Sequence, residues 1–515
     1  MKQLHLLFIV LSVLLSGCKT QKPVTSPSDD DGIITFKFIQ LNDVYEIAPL
    51  SGGKYGGMAR VAHIKDSIKT ENPNTFMFMA GDFLNPSLLG TIKYEGERIQ
   101  GKQMIEVMNA MGFSAVTFGN HEFDIGEEAL QKRLDESNFP WSTANVKHRS
   151  NGEIKHFTKE NGHPVSGSIR LSMRDDDGTE LEVSLLSVTI DSNPQDFVYY
   201  GANLIQEAEF MYNSLHLRDE KYHPDIVIGL THLRVEQDRE LARQIPELPF
   251  IMGGHEHNNM LLKEGNTIIA KADANAKTIY IHTLTYNKST KELNIDSHLQ
   301  PIDERIASQP QVKAIVDRWN TILDAKIKEV VDNPNEVIYQ PETPLDGTDS
   351  ANRGIQTNLG EIITHAMALS FNDKDIDGAL VNGGSIRIDD MLAGDVTSLD
   401  IFRVLPFGGN VVKVTMKGSL LIQVLDYGKS KGGTGAYLQR YNFQESENGS
   451  WLIDHKPVDI NTNYTVALSD FLLKGFDIPF LTPKNDGVVD VYEPNQKEPA
   501  SDIRKAVIVY LKSLN

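Results

Sequence analysis

The hexapeptide Gly119-Asn120-His121-Glu122-Phe123-Asp124 follows a short apolar run, Ala115-Val116-Thr117-Phe118, that reads as a buried strand. A strand ending this way carries an amide, an imidazole and a carboxylate at one tip. Ligand sites in open α/β sheets gather at the carboxyl ends of strands. Alone, the hexapeptide reads equally well as a turn with an exposed histidine. The rest of the chain tips that balance, because other apolar runs end alike. Phe36-Lys37-Phe38-Ile39-Gln40-Leu41 ends at Asn42-Asp43-Val44-Tyr45, and Phe76-Met77-Phe78-Met79 at Ala80-Gly81-Asp82. Ile226-Val227-Ile228-Gly229-Leu230 ends at Thr231-His232, and Pro249-Phe250-Ile251-Met252 at Gly253-Gly254-His255-Glu256-His257. A further strand candidate lies in residues 181–190, and residues 104–111 have helical spacing. Apolar strands separated by helical segments predict an α/β sheet buried on both faces.

A lone Asp after a strand is ordinarily a helix cap, and a lone His a satisfied surface residue. Asp43, Asp82, Asn120, His232, His255 and His257 at successive strand tips ask for one common explanation, and a metal centre supplies it. Oxygen and imidazole donors without thiolates suit Zn, Mn or Fe. There are donors enough for two ions, with Asp82 the natural bridge because a carboxylate offers one oxygen to each. Two ions roughly 3.5–4 Å apart hold a water as hydroxide and clamp the oxygens of an in-line phosphoryl displacement. His121, with Asp124 three residues on, suits a different role, that of a carboxylate-oriented imidazole able to protonate or stabilise a leaving oxygen.

At 515 residues the chain is long enough for two or three domains. Its formal net charge of -20 and the lack of a long basic run argue against nucleic-acid binding through a phosphate-neutralising face. The same charge repels small anions, so a phosphate site needs local cations or metal. At the N-terminus Lys2, an apolar stretch over residues 6–15 and Leu15-Ser16-Gly17-Cys18 form a segment too short to span a membrane. It resembles a bacterial lipoprotein signal over 1–18, with Cys18 lipidated and first in the mature chain. Residues 19–32, with Pro23, Pro27 and Asp29-Asp30-Asp31, read as a flexible tether. The expectation is an extracytoplasmic protein held to a bacterial membrane by its lipid alone. Cys18 is the sole cysteine, which excludes an intrachain disulfide and a thiolate metal site.

After 33–302, which carry the strand-tip motifs, the pattern changes. Val312, Ile315, Val316, Trp319, Ile322, Leu323, Ile327, Val330 and Val331 share one helical face until Asn333-Pro334, which predicts a linking helix within 303–335. A second domain over 336–515 has the landmarks Thr357-Asn358-Leu359-Gly360, Asn382-Gly383-Gly384-Ser385-Ile386-Arg387 and Leu405-Pro406-Phe407-Gly408-Gly409-Asn410. No fixed-period repeat occurs, and nothing in the sequence specifies an oligomeric state.

The strand-end motifs resemble those of the calcineurin-like metallophosphoesterase superfamily. The second-domain motifs narrow the resemblance to the 5′-nucleotidase family, which includes UDP-sugar hydrolases and cyclic phosphodiesterases. The resemblance runs from about Phe36 to about Gly487. It implies an α/β chain: a four-layer metallophosphoesterase sandwich, a linking helix and a smaller α/β substrate-binding domain. It places Asp43, Asp82 and His257 on a first divalent metal ion, and Asp82, Asn120, His232 and His255 on a second. His121 and Asp124 match the catalytic dyad. Arg353 and Arg387 match positions that grip substrate phosphate, where guanidinium forks suit oxyanions. Phe407 and Phe471 match two aromatics that sandwich a nucleobase, and Asn382, Gly384 and Asp477 lie where the family contacts base and ribose. On residue type alone, either Phe is more naturally a core side chain.

Two departures stand out. The first motif usually has Asp-x-His, but here it is Asp43-Val44-Tyr45. Tyr45 either binds metal as phenolate, which a ferric ion favours, or leaves the position to water, which Zn or Mn favours. His257, where many relatives have Gln, compensates. The usual Gly-Gly-Asp is Gly475-Phe476-Asp477, so Phe476 narrows or re-aims the nucleoside pocket. The expected activity is hydrolysis of phosphate monoesters of extracytoplasmic nucleotides. The alternatives are cyclic nucleotides, nucleotide sugars or other phosphoesters, and a nucleotide-binding lipoprotein whose metal centre has decayed through Tyr45. His121, Asp124 and three retained histidine ligands stand against the last.

Overall fold

The computed structural model describes residues 30–192, 194–217, 223–371 and 376–514. Cys18, with the signal segment and most of the tether, lies outside the described residues. The first half is built on two six-stranded sheets, in keeping with the four-layer sandwich that the resemblance implies. In the first, Ile33–Leu41, Thr75–Ala80, Ala115–Thr117 and Trp141–Ser142 run parallel, and the long hairpin Thr278–Asn287 and Glu292–Pro301 adds two antiparallel strands beside Ile33–Leu41. In the second, Glu180–Thr189, Ile226–His232, Phe250–Gly254 and Thr267–Lys271 are parallel, with Ser168–Arg174 and Met260–Glu264 antiparallel at the edges.

Side-chain alternation decides what lies between and outside the sheets. In the first strand Ile34, Phe36 and Phe38 point inward to meet Leu185, Ile228, Leu230, Phe250 and Met252 of the second sheet. Ile39 and Leu41 point outward, under Met58–Glu71 and Lys102–Met111. On the far side Leu186, Val188, Ile251 and Ile269 pack under Leu204–His216 and Val235–Gln244. The result is a helix–sheet–sheet–helix sandwich. Parallel strands covered on both faces read as near-continuous apolar runs, and each ligand motif begins where such a run stops.

A polar bridge crosses the inter-sheet core beneath those tips. Gln40 Nε2 donates to the carbonyls of Gly253 (3.0 Å) and Ala270 (2.8 Å) in the other sheet. That orients Gln40 Oε1 as acceptor for His282 Nε2 at 3.0 Å, leaving His282 Nδ1 to accept from Ser297 Oγ at 2.9 Å.

The linking helix spans Pro310–Ile327, with Val312, Val316, Trp319, Leu323 and Ile327 buried. It ends before Val330 and Val331, which still pack on the core from a turn. Apolar spacing therefore outran the helix. Downstream, a mixed five-stranded sheet in the order Leu438–Tyr441, Gly378–Asn382, Asn463–Ser469, Val411–Lys417, Val488–Tyr492 is covered by Gly418–Ser430 on one face. Asn358–Ala368 and Ile503–Lys512 cover the other. One apolar cluster runs from the outer helices of the first domain through Trp319 into this face. Among the described residues, no helix is long and apolar enough to cross a membrane.

Candidate metal centre and active site

The five strand tips converge. His232 Nδ1 donates to the Ala80 carbonyl at 2.7 Å, which turns Nε2 toward Asp82 Oδ2 (3.1 Å) and Asp43 Oδ1 (4.0 Å). Asp43 Oδ2 accepts from Asn42 Nδ2 (2.8 Å) and the His255 amide (2.9 Å). Asp43 Oδ1 and His232 Nε2 are buried without a hydrogen-bond partner among the described residues. One donor atom each from Asp43, Asp82 and His232 lie within 4.8 Å of one another. Buried polar atoms left unsatisfied and aimed at a common point are costly unless something binds there. The donor set is hard-to-borderline oxygen and nitrogen, which fits a divalent cation.

The backbone bends sharply to bring these groups together. Asp43, Asp82 and His255 adopt φ of 53°, 55° and 83°, the left-handed region that Asp, Asn and His enter more readily than most residues. Two glycines make room. A Cβ on Gly119 would stand 2.1 Å from Asp82 Oδ1, and one on Gly254 would stand 2.2 Å from the Ala80 carbonyl oxygen. Charge is balanced within the nest. Burial opposes ionisation of Asp43, but His232 and then His257 outweigh it and bring its pKa to about 2. Burial likewise disfavours the His232 imidazolium, but Asp82 and Asp43 raise its pKa to about 9. Burial and the neighbouring His232 charge hold His255 well below the usual imidazole range, so its lone pair is free to bind metal.

Tyr45 and His257 occupy the other end of the nest. His257 Nε2 is 3.1 Å from Tyr45 Oη and 3.5 Å from Asp43 Oδ1. Burial, then the Asp82 and Asp43 charges, push the Tyr45 phenol well above its ordinary pKa. Tyr45 is therefore a neutral hydrogen-bonding neighbour of His257 in the metal-free protein.

His121 stands beside this centre. Its amide donates to Asp82 Oδ1 and its Nδ1 pairs with Asp124 Oδ2, both at 2.8 Å. Asp124 Oδ2 also accepts from Asn85 Nδ2 (2.8 Å) and from Arg387 Nη2 (2.7 Å), the latter reaching over from the second domain. Burial lowers the His121 pKa, but the Asp82 and Asp124 carboxylates outweigh it and push it up to about 10. In the metal-free protein these carboxylates therefore favour an imidazolium, which has a proton to give. Asp82, Asn120, His121, Asp124, His255 and His257 share a cavity of about 550 Å³ with Arg353, Asp349 and Asp389 of the second domain.

Of the substrate-binding candidates, Arg353 lines that cavity, whereas Asn382, Gly384, Phe407, Phe471 and Asp477 do not. Asn382 Nδ2 donates to Asp477 Oδ2 at 2.8 Å, Gly384 packs against Gly435, and Arg353 pairs with Asp349 at 2.8 Å. Phe407 is 57% exposed. The ring beside Phe471 is that of Phe476, at 5.7 Å between centroids with planes 33° apart, and Phe476 is itself 71% exposed. Neither Phe407 nor Phe476 is a core residue.

Two family profiles match the chain: calcineurin-like phosphoesterase over residues 36–259 and the 5′-nucleotidase C-terminal domain over 337–482. The chain belongs to the 5′-nucleotidase family. The bovine 5′-nucleotidase is 27% identical over 478 residues, 82% of this chain and 78% of that protein. The trifunctional nucleotide phosphoesterase YfkN of Bacillus subtilis is 27% identical over 469 residues; the match takes in 80% of this chain but only 30% of YfkN. The crystal structure of a 5′-nucleotidase precursor from Thermus thermophilus superposes with a TM-score of 0.65 at 20% identity, covering 93% of this chain and 97% of that one. It shares the two-domain fold.

Two residues outside the sequence-derived site belong to this family member's centre. Glu122 accepts from the amides of Asp82 (2.9 Å), Phe83 (2.7 Å), Leu84 (3.0 Å) and Gly119 (2.6 Å). It clamps two strand-end loops around one buried carboxylate. It stands inside the hexapeptide, and a carboxylate followed by no cation was the available signal. Asp389 is the second, two residues beyond Arg387, and no periodicity marks it.

Proposed function

We propose that this protein hydrolyses phosphate monoesters of nucleotides with two divalent ions, held by Asp43, Asp82 and His257 and by Asp82, Asn120, His232 and His255. When bound, such ions supply Lewis acidity, lowering the pKa of water and neutralising phosphoryl charge. The observation that carries the reading is the chain Arg387–Asp124–His121, laid beside the Asp43–Asp82–His232 nest. Asp124 fixes the His121 ring and stabilises its positive charge, and Arg387 fixes Asp124. His121 then delivers its proton to the leaving ester oxygen, and Arg353 meets the phosphate from the opposite wall. Phe407 and Phe471 stack the base, with Asn382, Gly384 and Asp477 around the nucleoside.

The lipoprotein-like segment ending at Cys18 supports an extracytoplasmic, lipid-anchored enzyme. Charged nucleotides cross membranes poorly, so dephosphorylation outside the cell interior turns them into nucleosides fit for uptake. The test pairs metal analysis with phosphate release from nucleoside monophosphates, cyclic nucleotides, a nucleotide sugar and p-nitrophenyl phosphate. His121→Ala should lower kcat by roughly 10²–10⁴-fold, as for loss of a general acid, with metal content intact. Loss of metal in that variant would refute the separation of ligand from acid. Cys18→Ser should move the protein from membrane to soluble fraction.

A further inference from the structure

We propose that Asp389, a residue of the second domain, is the positioning residue for the His257 imidazole at the first metal site. The inference rests on the reading of His257 as a ligand. A metal-ligating histidine needs its second ring nitrogen committed to an acceptor, which fixes tautomer and orientation. His232 meets that need within its own domain, through the Ala80 carbonyl at 2.7 Å. His257 meets it across the domain boundary: its Nδ1 donates to the backbone carbonyl of Asp389. That turns Nε2 toward Asp43 Oδ1, 3.5 Å away, on the side of the proposed metal.

The local backbone is built for this contact. Asp389 has φ 46°, a left-handed residue in a segment otherwise free of that conformation from Ile386 to Asp390. Its side chain holds the turn in place, because Asp389 Oδ1 accepts from the Asp349 amide at 2.7 Å. Oδ2 lies 3.3 Å from His257 Nε2, so the residue spans both ring nitrogens. The flanking residues tie the same segment to the metal domain at two more points. Arg387 reaches Asp124 at 2.7 Å, and Asp390 pairs with Lys277. With Tyr45 in place of an imidazole, the first site has few strong donors and depends the more on how His257 is held. Full affinity at that site therefore requires the second domain in its docked position.

The experiment titrates metal-depleted full-length protein with Mn²⁺ alone, following thermal stabilisation and bound metal per chain. The variants are Asp389→Val, Asp389→Ala, Asp389→Asn and His257→Ala. Val resists the left-handed turn, so Asp389→Val should weaken binding of one ion by roughly 10–100-fold, the range for losing an outer-shell partner. Asn tolerates the turn and keeps an acceptor for the Asp349 amide, so Asp389→Asn should titrate near the parent. Asp389→Ala is the milder substitute if the valine variant does not fold. Parent-like titration by Asp389→Val or Asp389→Ala, while His257→Ala binds weakly, overturns the proposal and leaves the ligand reading standing. Parent-like titration by His257→Ala removes the ligand reading and the proposal with it.

Discussion

His282 gives a quantitative handle on the bridge that braces the two sheets. It is fully buried, and burial lowers its pKa from 6.5 to about 3. Its Nε2 donates to Gln40, whose amide in turn holds the Gly253 and Ala270 carbonyls, so protonating the ring at Nδ1 reverses the Ser297 hydrogen bond and places a charge in the core. The folded pKa is depressed below the unfolded one, so the unfolded chain takes up a proton that the folded protein refuses. Stability from this residue is complete above pH 6.5 and is lost as pH falls toward 3. At pH 5 the linkage relation gives a loss of about 2 kcal/mol, and nearly none at pH 8. Chemical denaturation of the metal-free protein at pH 8 and pH 5 measures it, in the parent and in His282→Gln. Glutamine keeps a donor for Gln40 Oε1 and cannot be protonated. The variant is expected to be less stable at pH 8 through imperfect packing, but to lose about 2 kcal/mol less than the parent on going to pH 5. Titration of the metal-site histidines is common to both and cancels in the difference. Equal losses in the two proteins would refute the reasoning.

Other outcomes follow from the site. Gly119→Ala places a methyl group 2.1 Å from Asp82 Oδ1; metal analysis should show loss of bound ions, and full occupancy would contradict the close approach. Tyr45→His should lower the metal concentration needed to restore activity after chelation, and an iron-loaded parent with visible charge-transfer absorption would instead favour phenolate ligation. Phe407→Ala and Phe471→Ala should each lower kcat/KM for nucleoside monophosphates by about ten-fold or more, from stacking worth roughly 1–3 kcal/mol, while sparing p-nitrophenyl phosphate and metal content. Equal losses on both substrates would make those rings structural.

What the sequence made legible was whatever depends on local order. Each buried parallel strand is an apolar run with its ligand at the tip, so Asp43, Asp82, Asn120, His232 and His255 could be read in line. Their convergence could not. Thr278–Asn287 pairs antiparallel with Ile33–Leu41 from the far end of the domain, and no periodicity announces which strands share a sheet. The two-sheet arrangement was therefore available only from the family resemblance, which implied a four-layer sandwich. Val330 and Val331 kept helical spacing because they pack on the same core, although the helix ends at Ile327. Glu122 looked like part of a ligand motif, yet its partners are main-chain amides, which leave no imprint on the sequence. Asp389 acts through a backbone carbonyl and was invisible for the same reason.

The left-handed backbone at Asp43 and Asp82 also shapes what mutation can do to this enzyme. Alanine at either position adds a steric penalty of roughly 1–2 kcal/mol to the loss of a ligand, so an inactive alanine variant confounds strain with chemistry. Asparagine enters that conformation readily. It removes the negative charge and leaves the chain path alone. On the proposed ligand set, Asp82→Asn is therefore expected to remove a charged donor without straining the chain path. On that reading a single substitution separates a site with its full set of charged donors from one short of a donor. The reverse path is as short only for a chain that has kept the bend.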